Sequence, residues 1–270
     1  MGDMATIDAS PAARLSHPVF FMHIAKTAGS YLNACLSDAV GPDRMLTHIE
    51  NRLGSDQALA SALSSGIEVF SGHVMLGLWD KLASSETRKF RLVTMVREPI
   101  AHIASHIHWL DHYNRPDKRP GYRALDEDHR RIVDRIGSIN LKDVGQLDAF
   151  LTGLSGTEMR LLDNCQSRYF IMSGGRDIET TRPMTLMDRD AVSNAMRRFS
   201  VIACQDNLDR DIGRISLAIG IRIETRNERI NVAQSERRID IENPVIRQVL
   251  SKRTLVDQWL WRHVVKGSST

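Results

Sequence analysis

An apolar run that turns within two residues into a corner of small and hydroxyl-bearing side chains around one lysine leaves a chain few folds to choose from. Val19 to Leu32, Val-Phe-Phe-Met-His-Ile-Ala-Lys-Thr-Ala-Gly-Ser-Tyr-Leu, is such a stretch. Val19 to Ile24 is continuous, aromatic and β-branched, the pattern of a strand buried on both faces of a parallel sheet. Tyr31, Leu32, Cys35, Leu36 and Ala39 then recur at helical spacing, so a helix starts at the corner. Its first N–H groups have no intrahelical acceptor and carry the positive end of the helix dipole, which makes an anion the natural occupant above Lys26.

The same grammar repeats along the chain. Ile67 to Ser71 reads as a second strand, Arg91 to Arg97 as a third, and Phe199 to Cys204 as a fourth. Helices are predicted over the end of 43–65, from Glu98-Pro99 through Leu110, over Leu147 to Leu154, over Leu208 to Ile219, and as one helix or a pair over Val245 to Val265. Asp111 to Asp134, basic and proline-containing, reads as an exposed excursion from the sheet, and Asn231 to Asn243 as a polar loop. Strands alternating with helices imply a three-layer α/β fold, a parallel sheet between helices, with ligands meeting above the strand ends. With 270 residues and 42% hydrophobic side chains, the expectation is one domain over 17–266 behind a disordered tail over 1–16. Without an export signal or a run of eighteen apolar residues, the chain reads as soluble and cytoplasmic, with no membrane span. Cys35, Cys165 and Cys204 are odd in number and set in apolar context, so no disulfide framework is expected. A net charge of +3 decides nothing about partners.

Three further residues carry chemistry. Arg97, closing a strand, offers a permanently charged bidentate fork at the sheet edge that Lys26 occupies, and Ser105 follows about two turns into the next helix. His73 leaves another strand after Gly72, and histidine is the side chain whose ordinary titration suits a base near neutral pH. Lysine comes first in the corner, so it is no G-x-x-x-x-G-K-[ST] loop. His102, His106, His108 and His112 form i,i+4 pairs but lack the glutamate of H-E-x-x-H; they read as solvated or acceptor-facing, with no metal site expected.

His23-Ile24-Ala25-Lys26-Thr27-Ala28-Gly29-Ser30 resembles the H-I-P-K-T-A-G-T/S signature of sulfotransferases of the carbohydrate-modifying type, related to heparan sulfate 2-O-sulfotransferase, with Ala25 in place of proline. Gly72-His73 resembles the family's G-H-x-x-F/L segment, and Arg97, Pro99 and Ser105 its R-x-P-x-x-R-x-x-S pattern, with His102 where a second arginine often stands. Asn164 to Phe170 resembles its N-x-Q-x-R-x-L stretch. The resemblance implies a P-loop nucleotide-kinase-like sulfotransferase fold and the donor 3′-phosphoadenosine 5′-phosphosulfate (PAPS). It places the 5′-phosphosulfate on Lys26, Thr27, Ala28, Gly29, Ser30 and Tyr31, and the 3′-phosphate on Arg97 and Ser105. His73 becomes the base and Lys26 the group that stabilises the leaving phosphate. The implied partner is a carbohydrate or other hydroxyl-bearing acceptor, not nucleic acid; oligomeric state is unread. A small-molecule kinase and a non-catalytic nucleotide-binding protein are the rival classes.

Overall fold

In the computed structural model, which describes residues 14–84, 89–173, 181–226 and 237–267, the apolar run forms strand β1 (Val19–Met22), buried throughout. Then come α1 (Gly29–Val40), β2 (Met45–Thr47), α2 (Asp56–Ser64), β3 (Val69–Gly72), α3 (Leu76–Leu82), β4 (Arg91–Val96) and α4 (Pro99–Asp111). The chain continues through α5 (Arg119–Ala124), α6 (Glu127–Gly137), α7 (Val144–Thr152), α8 (Thr157–Leu162), α9 (Cys165–Ile171) and α10 (Arg189–Met196). It returns to strand at β5 (Val201–Cys204), followed by α11 (Leu208–Ile219), α12 (Pro244–Ser251) and α13 (Leu255–Gly267).

These elements gather into two compact units that the chain enters more than once. The first takes in 14–96, 169–173 and 194–226, the second 97–168, 181–193 and 237–267, within the described residues.

The first unit is built on an all-parallel sheet in the order β2-β3-β1-β4-β5. Because successive side chains of a strand point to opposite faces, β1 feeds two layers at once. Val19 and Phe21 pack with Leu32 and Leu36 of α1 and Ile212 and Ile215 of α11. On the other face Phe20 stacks on Trp79 of α3, ring centroids 3.9 Å apart and 8° from parallel, and Trp79 meets Phe90 edge-on. Helices therefore lie against both faces, as the strand–helix alternation predicts. After β1 the chain builds β3 and β2 on one side and β4 and β5 on the other, so the order reverses at β1. The crevice outside the carboxyl ends of such a sheet is where ligands lodge, and the residues leaving β1 are those of the lysine corner.

The second unit is helical. Ile103, Ile107 and Leu110 of α4 form its core with Ile132 and Ile136 of α6, Leu147 and Phe150 of α7, and Leu250 of α12. Glu98 caps α4, its carboxylate accepting from the Ala101 amide at 2.6 Å, with Pro99 at the first helical position.

Several expectations need correcting. β2 falls in a stretch that reads as loop; three residues at a sheet edge are too few to carry a period. The 111–134 excursion is mostly helical, and Ile132 and Val133 are buried, because their spacing with Ile136 gives α6 an apolar stripe. Most of the expected tail lies outside the described residues, but its end is fixed: Arg14 and the Leu15 amide bond to Glu68 at 3.2 and 2.9 Å. Residues 231–236 of the expected polar loop also lie outside. All three cysteines are buried, and none is in a disulfide. Among the described residues, no helix is long and apolar enough to cross a membrane.

Candidate functional site

The corner after β1 is held in an unusual backbone conformation. Lys26 and Ala28 both have left-handed φ, 68° and 64°, which costs a non-glycine residue of order 1 kcal/mol and persists only where the surroundings enforce it. Three hydrogen bonds hold the corner. The Thr27 hydroxyl donates to the Ile24 carbonyl at 2.8 Å, and the Tyr31 and Leu32 amides both donate to the Ala28 carbonyl, at 3.0 and 3.2 Å. Ala28 is the N-cap of α1 and supplies no side-chain hydrogen bond, so the cap leaves early amides of the helix for another acceptor. A turn mixing left-handed residues with a helix start makes a concavity of N–H groups suited to an anion.

Gly29, the first residue of α1, is fixed by what lies over it. A Cβ there would stand 2.0 Å from Cδ2 and 2.2 Å from Nε2 of His23. The His23 ring therefore covers the turn, buried, stacked on Phe21 with centroids 5.6 Å apart and tilted against His73 at 4.3 Å. Burial, reinforced by His73, His48 and Lys26, drives its pKa down to about 3, so it stays neutral under ordinary conditions.

His73 follows β3 and is exposed on one side. Its amide donates to Glu50 Oε2 at 3.0 Å, and its Nδ1 lies 2.7 Å from the His23 carbonyl oxygen. A carbonyl can only accept, so Nδ1 carries the hydrogen and Nε2 keeps its lone pair, the form a base requires. Lost hydration lowers the pKa of this imidazole below the usual histidine value, as does His48, against opposing contributions from the His23 carbonyl and Glu50. Glu50 also meets His48 Nδ1, at 3.3 Å.

Each predicted residue of the corner can now be placed. Lys26 is half-buried and Ser30 exposed, both on the turn. The side chains of Thr27 and Tyr31 serve the fold. Thr27 is fully buried, and the Tyr31 hydroxyl both donates to the Arg226 carbonyl at 2.9 Å and accepts from the Arg226 amide at 2.7 Å. The Tyr31 amide is taken as well, by the Ala28 carbonyl, and neither side chain is offered to a ligand. His23 is the residue through which the corner meets His73.

Arg97 and Ser105 belong to the second unit, both half-buried, Arg97 directly after β4 and Ser105 in α4. A buried Gln166 holds the Arg97 peptide at both ends: the Arg97 amide donates to Oε1 at 2.8 Å and Gln166 Nε2 donates to the Arg97 carbonyl at 3.0 Å. Gln166 is anchored in turn. Asp257, buried with its pKa raised to about 6 by desolvation, accepts from the amides of Gln166 and Ser167 and from the Ser167 hydroxyl at 3.2, 2.7 and 2.6 Å. Asn164 Oδ1 accepts from the amides of Val256 and Asp257. Arg168, fully buried, pairs with Asp163 at 2.7 Å and donates to the Arg182 carbonyl at 2.6 Å. Asn164, Gln166 and Arg168 thus build the scaffold behind Arg97.

His102 and His106 are buried, at 1% and 2% exposure, which corrects their reading as solvated or acceptor-facing. They share the inward side of α4 with Ile103 and Ile107.

Comparison with protein-family models and with curated proteins returned no match for this chain.

Proposed function

We propose that the chain is a PAPS-dependent sulfotransferase with a P-loop-kinase-like three-layer architecture, moving the sulfuryl group to a hydroxyl, in our reading that of a carbohydrate. The observation that carries this is the bond from His73 Nδ1 to the His23 carbonyl, because it sets a histidine with a free Nε2 beside an anion-binding turn. A base and an anion cradle at one strand edge are what transfer of a charged group to a hydroxyl requires. Amides at the start of α1 and Lys26 suit the 5′-phosphosulfate, with Lys26 neutralising charge as the bridging oxygen leaves. Nε2 of His73 takes the acceptor proton as the hydroxyl oxygen attacks sulfur, and the resulting imidazolium is balanced by Glu50. Arg97 and Ser105 suit the 3′-phosphate. A sulfuryl group carries less charge than a terminal phosphoryl group, so amides and cationic side chains can serve where phosphoryl transfer recruits magnesium through an acidic strand end. Here the residue after β4 is arginine.

The test is to incubate the protein with sulfur-labelled PAPS and a panel of glycans and small alcohols, with His73→Ala in parallel. Label should enter one acceptor class and be lost in the variant, while adenosine 3′,5′-bisphosphate still binds both proteins. Loss of nucleotide binding together with activity would reassign His73 to the scaffold, and absence of transfer to every acceptor would count against the reading.

A further inference from the structure

The second unit holds a cluster that the proposed chemistry leaves unused. His102 and His106, one turn apart on α4, meet Cys165, the first residue of α9, with one ligand atom from each within 4.8 Å of the others and all three residues buried. The two imidazole rings stand nearly perpendicular, 81° apart with centroids at 5.9 Å, and are not stacked. We propose that His102, His106 and Cys165 form a zinc site.

The donor set selects the ion. Two imidazole nitrogens and one sulfur are ligands of a borderline-soft cation, and carboxylate-loving calcium or magnesium would find no oxygen among them. Tetrahedral zinc, with bonds of about 2.0–2.1 Å to nitrogen and 2.3 Å to sulfur, spaces such atoms roughly 3.3–3.6 Å apart. To reach that spacing the three side chains, now within 4.8 Å of one another, would close inward on the ion. Binding replaces the thiol proton, which leaves to solvent, with a zinc–sulfur bond. Zinc with one thiolate retains one positive charge, and a dry site needs a counter-charge. Asp257 supplies it: its buried carboxylate is fixed to the amides of the two residues after Cys165. The metal would clamp α4, which carries Ser105, to the start of α9, which carries Gln166 and through it the Arg97 peptide.

The experiment uses the untagged full-length protein. After dialysis, elemental analysis should find about one zinc per chain. Replacing zinc by Co²⁺ should give the near-ultraviolet thiolate-to-cobalt charge-transfer band, and Cys165→Ser should lose both the band and the zinc. Should that variant not fold, His102→Asn takes its place with the same loss of zinc expected. Metal content equal in wild type and variant, or Co²⁺ binding without a thiolate band, overturns the proposal.

Discussion

Gly29→Ala is the substitution that most sharply tests the geometry of the corner. The added methyl would sit 2.0 Å from the His23 ring, far inside van der Waals contact, and the ring is buried against Phe21 and His73. Overpacking of this kind costs about 1–3 kcal/mol. Against it stands a gain of about 0.5–1 kcal/mol for replacing glycine by alanine in a helix. The net expectation is a loss of about 0–2.5 kcal/mol in urea-unfolding free energy, up to about 70-fold in the folding constant. On a His23→Ala background the clash disappears and only the helix gain remains, so the same substitution should become neutral or stabilising. A double-mutant cycle isolates the difference, a coupling of about 1–3 kcal/mol. If Gly29→Ala costs the same with and without the imidazole, His23 does not cover the turn.

Two other perturbations probe separate parts of the frame. Gln166→Leu strips both hydrogen bonds from the Arg97 peptide, and leaving a donor and an acceptor unsatisfied should cost about 2–4 kcal/mol in urea denaturation; a loss under about 0.5 kcal/mol would mean the clamp is idle. His23, at a pKa of about 3 against 6.5 unfolded, refuses a proton that the unfolded chain binds. Stability should therefore be complete above pH 6.5 and fall as pH drops toward 3, this residue contributing up to about 1.4 kcal/mol per pH unit. His23→Gln should flatten the profile by that slope, and parallel wild-type and variant profiles would refute the assignment.

Much of the parallel α/β unit was legible because its strands are continuous apolar runs, which few other structures tolerate. β1 and the start of α1 could be read from Val19 to Leu32 alone, and the switch in helix period located α4 and α11. β2 escaped because three edge residues leave no pattern. The polar stretch from Asn164 to Arg168 was legible only as a resemblance: no hydropathy rule distinguishes a buried polar network from a solvated loop, since burial depends on partners such as Asp257 and Arg182 that lie far along the chain. His102 and His106 were misread for a related reason. Histidine suits either surface, and only the packing of Ile103 and Ile107 beside them decides which way α4 turns. The left-handed Lys26 and Ala28 were equally hidden, as neither residue type advertises positive φ. What the motif did disclose was the turn itself, while the role of His23 emerged from contacts across it.

The central claim is the identity of the anion, and parallel calorimetric titrations with adenosine 3′,5′-bisphosphate, adenosine 5′-phosphosulfate and ATP with magnesium test it most directly. Wild type should bind adenosine 3′,5′-bisphosphate tightest. Arg97→Ala should weaken that ligand roughly 10- to 100-fold, the worth of a charge-assisted contact to its 3′-phosphate, while hardly changing adenosine 5′-phosphosulfate, which has none. Tighter binding of ATP with magnesium than of adenosine 3′,5′-bisphosphate, or equal weakening of all three ligands by Arg97→Ala, would contradict the account.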